Sequence, residues 1–300
     1  MKIAPVLLII FNRPDVTAQV FGTIRATRPT QLFVAADGPR ADRPNDKELC
    51  VATRAVTEKI DWPCDVKRLY QEKNLGCKQG PIQAINWFFK NIEEGIILED
   101  DCVADPSFFT FCSDLLAHYR DDTRIMHISG NNFQFGQTRG TASYYFSKYS
   151  HNWGWATWRR AWAQFEPAMK EFPAFIAENK IRNIPISRRA QVFWAKNFVY
   201  SHNRNDSWDG LWLYTTWSRG GLSILPNKNL VTNIGFGSDA THTKDKNVFF
   251  NMKTESIPSP LTHPISVAQD YVADEFTFKK VYNVSIPRRL LRLLRKYIKT

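Results

Sequence analysis

Three acids stand in a row in Ile96-Ile97-Leu98-Glu99-Asp100-Asp101-Cys102, directly after an apolar run. Carboxylates held side by side at the end of a buried strand repel one another, and each needs a partner or a proton. The usual remedy at neutral pH is a hard cation, Mg2+ or Mn2+, which takes oxygen ligands, keeps several waters and bridges to phosphate oxygens. One or both of Asp100 and Asp101 would ligate such an ion, leaving Glu99 to accept from a sugar hydroxyl. The plainer alternative is a solvated acidic turn ahead of the helix that begins near Pro106.

Other residues offer matching chemistry. Lys78, in Asn74-Leu75-Gly76-Cys77-Lys78-Gln79-Gly80, follows a glycine and precedes a proline-started helix, a suitable place for a cation that meets phosphate. Asn12 and Arg13 in Asn12-Arg13-Pro14, and Asp37 in Asp37-Gly38-Pro39-Arg40, end two apolar runs. An Asp there can accept from a base N–H, and an Arg can pack on a ring or bond phosphate. Asp209 follows Trp208; a carboxylate beside an apolar ring is a candidate general base for a hydroxyl nucleophile, or else a helix cap. His242, in a Gly-flanked stretch after Gly235 and Gly237, is a further candidate for metal or phosphate.

Position makes these residues a set. Short apolar runs at 5–11, 31–37, 65–71, 95–100 and 125–130 alternate with helical stretches Pro14 to Arg25, Asp46 to Lys59, Pro81 to Ile92 and Pro106 to Tyr119. That alternation predicts an α/β fold with a largely parallel sheet covered on both faces. In such sheets ligands lie beyond the carboxyl ends of the strands, where Arg13, Asp37, Lys78 and the acid triplet all fall. After Gly130 the chain turns to Trp, Asn, Gly, Ser and His. Short strands at 142–146 and 221–225 and helices at 155–163 and 186–200 are expected over a smaller mixed sheet.

The chain has 300 residues, ten of them Trp, and a formal net charge of +11, which favours anionic partners. Part of the charge is local: Arg288, Arg289, Arg292, Arg295, Lys296 and Lys299 share the last 13 residues with six large apolar residues at helical spacing. A basic amphipathic helix over 285–300 is expected, with 288–299 laid on an anionic membrane surface or docked on protein. Five cysteines without metal-site spacing read as a reduced, cytoplasmic chain, peripheral on the inner face of the membrane if the tail binds lipid. No run of 18 apolar residues is present to span a membrane.

The order "PVLLIIFNRP", "FVAADGPR", "ILEDDCVADPSFFTFC", "NWGWATW", "SWDGLW" resembles glycosyltransferases of the GT-A fold, most closely the N-acetylglucosaminyltransferase I-like group with its EDD form of the Asp-X-Asp motif. The resemblance covers roughly 4–245 and is most specific in the first 115 residues. It implies one catalytic domain over 1–245, with a nucleotide-binding half to about 130 and an acceptor half beyond it, a C-terminal extension over 246–284 and then the basic helix. It also implies a UDP- or GDP-type nucleotide-sugar donor, Mn2+ or Mg2+ on the diphosphate, and inversion at the sugar. By the same resemblance, Arg13 and Asp37 meet the base, Lys78 stands near the donor, Glu99 and Asp100 hold ribose or sugar, and Asp101 ligates the metal. Trp153 and Trp155 match an aromatic loop near the donor sugar, and Trp208-Asp209 the acceptor side with the catalytic base. Gly210 stands where the family has a second acid, so the acceptor is left open; a glycan or a lipid-linked acceptor suits the Trp-rich half and the basic tail.

Two other classes compete. A sugar-phosphate nucleotidyltransferase shares sheet, acids and metal, but usually opens with a Gly-rich basic loop after the first strand, and "FNRPDVT" has none. A non-catalytic basic protein that binds nucleic acid or membrane suits the net charge, yet acids at the crevice would repel a phosphate backbone; no nucleic acid is expected.

Overall fold

The computed structural model describes residues 2–204, 207–235 and 252–282. His242, Gly237 and the expected basic helix lie outside the described residues.

The first half alternates strand and helix: β1 (Val6–Ile10), α1 (Pro14–Thr27), β2 (Gln31–Ala36), α2 (Asp46–Val56), β3 (Asp65–Tyr70), α3 (Gly76–Asn91), β4 (Glu94–Glu99), β5 (Cys102–Ala104), α4 (Pro106–His118) and β6 (Ile125–Ser129). Then follow β7 (Tyr144–Ser147), β8 (Trp155–Trp158), α5 (Arg159–Trp162), α6 (Phe172–Ala177), α7 (Arg188–Arg204), α8 (Asp209–Ser218), β9 (Leu222–Pro226), β10 (Val231–Asn233) and α9 (Tyr271–Thr277). The apolar runs form strands because each can be buried on both faces; β1 and β4 contribute Val6, Leu7, Leu8, Ile96, Ile97 and Leu98, all fully enclosed. Prolines open α1 and α4 at the position where a missing N–H costs nothing, and Asp105 caps α4 by accepting from the Ser107 N–H. Pro81 does not start its helix: α3 begins at Gly76, so Lys78 lies in its first turn.

Eight strands form one sheet in the order β3-β2-β1-β4-β8-β6-β9-β7, and β5 with β10 forms a separate antiparallel pair. The α/β architecture with a large, mostly parallel central sheet is the one the sequence predicts, but the strands expected at 142–146 and 221–225 for a smaller mixed sheet join the large one as β7 and β9, and the small sheet is the antiparallel β5–β10 pair. β3, β2, β1 and β4 run parallel; β8 runs against both β4 and β6, whereas β6 and β9 are parallel. The carboxyl ends of β2, β1, β4, β6 and β9 therefore share one edge, and β8 starts there.

The stretch 155–163, expected to be helical, begins instead as β8. Trp155 lies opposite Ile97 and Trp158 opposite Glu94, so the bulky "WATW" fills the gap between two strands and only Arg159–Trp162 is helical. Residues 252–282 are tied to the body: Asp274 accepts from the Ser147 hydroxyl and the Lys148 N–H, and Phe278 joins an aromatic core with Tyr149, Trp194 and Trp217. No helix among the described residues is long and apolar enough to cross a membrane.

Candidate functional site at the carboxyl edge

β1 ends at Ile10, and three residues later Arg13 turns toward the end of β4. Its guanidinium donates to both oxygens of Asp100 and, over 3.0 Å, to Asp101 Oδ2. Asp100 is buried, and such a carboxylate persists as an ion only against a hydrogen-bonded cation. Burial opposes the charge on Arg13, but Asp100 and Asp101 together more than offset it, and the guanidinium is held charged.

The small sheet roofs this pair. β10 delivers Asn233, whose amide donates to Asp101 Oδ1 over 3.0 Å, and the Ile234 N–H bonds the Asp101 carbonyl over 2.9 Å. At Gly235 a Cβ would stand 2.1 Å from Asp101 Oδ2 and 2.8 Å from Arg13 Nη1, so only glycine allows the backbone this approach. Glu99, the last residue of β4, is partly buried; burial pushes its carboxyl up to about 8, with Asp101, Asp100 and Asp209 adding like charge. Asp209, first residue of α8, is exposed and accepts from the Ser207 hydroxyl.

The two residues flanking Arg13 in the crevice have firm partners. Asp37, beyond β2, accepts from the N–H groups of Gly38, Leu75 and Gly76 and from the Asn74 amide, which anchors the start of α3 and therefore Lys78. Burial raises the Asp37 carboxyl and these N–H groups oppose the rise. Lys78 is buried. Asn12 donates to Asp46 over 2.8 Å, and Arg40 makes a fork to the same carboxylate, which these bonds hold down at about 2. Arg40, Asp46, Asn74 and Asn233 were not singled out from the sequence. Arg40 closes the quoted "DGPR", but Asp46 and Asn233 carry no local signal, being chosen by contacts with distant strands.

On the other side of β4 the aromatic residues meet. Trp155 is fully enclosed, stacked on His127 at 5.0 Å and on Trp208 at 5.6 Å between ring centroids. Its ring packs against Trp208 and, being fully enclosed, is not exposed to the crevice. Trp153 is partly buried against Phe133, and its N–H bonds Asn131 Oδ1. Four buried polar atoms in this loop, Ser150 Oγ, His151 Nε2, Asn152 Oδ1 and Trp155 Nε1, have no hydrogen-bond partner among the described residues.

The Mn2+ or Mg2+ expected at Asp101 does not fit the acids as they stand. Both Asp101 oxygens are taken by Arg13 and Asn233, both Asp100 oxygens by Arg13, and His242 is outside the described residues. Among the described residues no cluster of three or more His, Cys, Asp or Glu side chains is gathered to hold an ion. Arg13 supplies one positive charge, shared between Asp100 and Asp101.

No family model matches the chain, and no curated protein matches it. Among solved structures it is similar to a cytidylyltransferase from Leptospira borgpetersenii serovar Hardjo-bovis, with 14% identity, 55% of this chain and 63% of that one covered, and a TM-score of 0.33. It thus spans less than two thirds of that protein. It is also similar to a 4-diphosphocytidyl-2C-methyl-D-erythritol synthase from Anaerococcus prevotii, with 9% identity, 54% and 74% covered, and a TM-score of 0.30. A UDP-glucose pyrophosphorylase complexed with UDP-glucose matches with 8% identity, 75% and 90% covered, and a TM-score of 0.36. None of these supports the narrower likeness to the N-acetylglucosaminyltransferase I-like group, and scores this low carry no argument about chemistry.

Proposed function

We propose that the chain is a glycosyltransferase that moves a sugar from a nucleotide-sugar donor to a hydroxyl acceptor, with inversion. The observation that supports this reading is the meeting, at one sheet edge, of an acid row paired with Arg13 and a first-turn lysine; Asp209 opens α8 beside the buried Trp208. The acceptor oxygen attacks the anomeric carbon and the bond from that carbon to the diphosphate oxygen breaks, its electron pair leaving with the diphosphate. Asp209 takes the hydroxyl proton, a contribution of about 10²- to 10⁴-fold. Lys78 and Arg13 stabilise the charge on the leaving diphosphate. Asp37 and Asn12 border the nucleotide, Glu99 and Asp100 the ribose or donor sugar, with Trp153 over the sugar and Trp208 on the acceptor side.

The sugar-phosphate nucleotidyltransferase reading would need phosphate-cradling glycines after β1, where α1 begins directly at Pro14. Calorimetric titration with a panel of nucleoside diphosphates, first in EDTA and then in Mn2+, tests the proposal. Binding of a UDP- or GDP-type nucleotide in EDTA is expected. A strict requirement for Mn2+ would mean that an ion takes Asp101 from Arg13, and no binding in either condition overturns the reading. Incubation with sugar 1-phosphates and nucleoside triphosphates separates the alternative, which alone releases pyrophosphate.

A further inference from the structure

Helix α7 buries one stripe and leaves the opposite one in solvent. Ala190, Trp194 and Phe198 pack inward with Tyr149, Leu211 and Trp217. At the helical period the outward stripe is Arg189, Val192, Lys196, Val199, Tyr200 and Asn203, and all six are exposed. Arg188 and Arg204 stand at its two ends, and no Asp or Glu occurs between them.

Both kinds of group on this stripe lack the usual remedy for their exposure. Val192 is 47% exposed, Val199 40% and Tyr200 50%, three of the nine large apolar side chains left exposed among the described residues. Singly such residues need no explanation, but three within about two helical turns make a patch. The cations have no acid opposite: among the described residues none of Arg188, Arg189, Lys196 and Arg204 forms an ion pair. Neighbouring α6 meets α7 through Phe172 and His202, and the acids at its ends are engaged elsewhere, Glu171 with Arg219 and Glu178 with Lys180. Arg204 lies over the Tyr200 ring at 5.2 Å, which holds a cation and an aromatic group together at one end of the stripe.

The alternation of cations with apolar side chains selects the partner. A nucleic-acid backbone matches the cations but lays nothing apolar on Val192 and Val199. A second copy of the chain would bring the same cations face to face. An anionic bilayer offers phosphates to the cations and acyl-chain surface to the valines, with tyrosine at the headgroup level where it is enriched. The long stems of Arg and Lys let both contacts form at one depth.

We propose that the outward face of α7 rests on an anionic lipid surface, Val192, Val199 and Tyr200 dipping below the headgroups while Arg188, Arg189, Lys196 and Arg204 meet lipid phosphates. Such contact does not depend on the chain being a glycosyltransferase, and it is distinct from any made by 288–299.

Sedimentation of the full chain with large vesicles of phosphatidylcholine, alone or mixed with phosphatidylglycerol, tests this contact. Binding to the mixed vesicles only, weakening as salt is added, is expected. Each cation removed should weaken it about fivefold, so Arg189→Gln with Lys196→Gln should weaken it about 25-fold. Val192→Ser with Val199→Ser should weaken it about three- to tenfold. Melting temperatures should stay unchanged, since all four positions are exposed. Absence of binding, or binding that neither pair of substitutions alters, overturns the assignment to α7. Sensitivity to the cation pair alone, with equal affinity for a single-stranded oligonucleotide, would make this a nucleic-acid surface. A lipid-free dimer broken by the cation pair would make it a contact between copies, and either result overturns the lipid partner.

Discussion

The two sides of β4 are held together by opposite means. On the β1 and β2 side, buried carboxylates are paired with more exposed guanidiniums: Asp100 and Asp101 with Arg13, Asp46 with Arg40. On the β8 and β6 side two buried histidines are held neutral, His127 and His151 both driven down to about 3, first of all by burial, with His127 stacked on Trp155. Paired charges exchange partners when a charged ligand arrives, whereas interlocked rings do not. Under the proposed function, the difference suits the first side to an anionic ligand and the second to a fixed platform.

Replacing residues on each side sharpens that contrast. The largest expected effect is on turnover: Asp209→Asn should lower transfer by about 10²- to 10⁴-fold with nucleotide affinity unchanged, measured by product formation and calorimetry. Lost nucleotide affinity with normal turnover would move Asp209 to the donor side. Next, Trp155→Ala opens a cavity among Trp162, Trp208, Trp212 and His127 and should cost about 3–5 kcal/mol in urea unfolding. Arg13→Ala leaves the buried Asp100 uncompensated and should cost about 3 kcal/mol. Addition of a nucleoside diphosphate should alter the melting of Arg13→Ala less than that of the wild type; equal shifts would dissociate Arg13 from the donor.

The smallest effect is a pH slope. Asp274, buried among Ser147, Lys148 and Gln269, is pushed up to about 7 by burial, above its unfolded value near 4. The folded state then binds the extra proton, so this group's stabilisation is complete below about pH 4 and lost as pH rises toward 7, by about 1 kcal/mol per unit. His127 and His151 act in reverse: with folded values below the unfolded one, stability is present above about pH 6.5 and falls as pH drops. Asp274→Asn should flatten the loss on the alkaline side and leave the acid-side loss untouched in unfolding experiments from pH 4 to 8.

The first-half strands were legible because burial on both faces demands unbroken apolar runs, and the crevice followed from where those runs end. β8 was not, because "WATW" has no alternation and four residues fit either period. β5 and β10, three residues each, exist only through their mutual pairing and so leave no trace in sequence. The acid row was legible, but its partner was not: Arg13 and Asp100 meet across 87 positions of chain. The Asn residues after β6 and β9 stand out only as part of a polar stretch, since a cross-brace between two loops has the same composition as a loop.

β8 enters the sheet against its neighbours, so the segment that leads into it begins at the edge where the others finish. Along that edge the loops after β1, β2 and β4 belong to one hydrogen-bonded network, whereas those after β6 and β9 are braced to each other. An evolving lineage, or an engineer, could thus graft a different 130–143 loop with its 226–230 partner as one cassette, changing that end of the edge while inheriting the loops after β1, β2 and β4 intact.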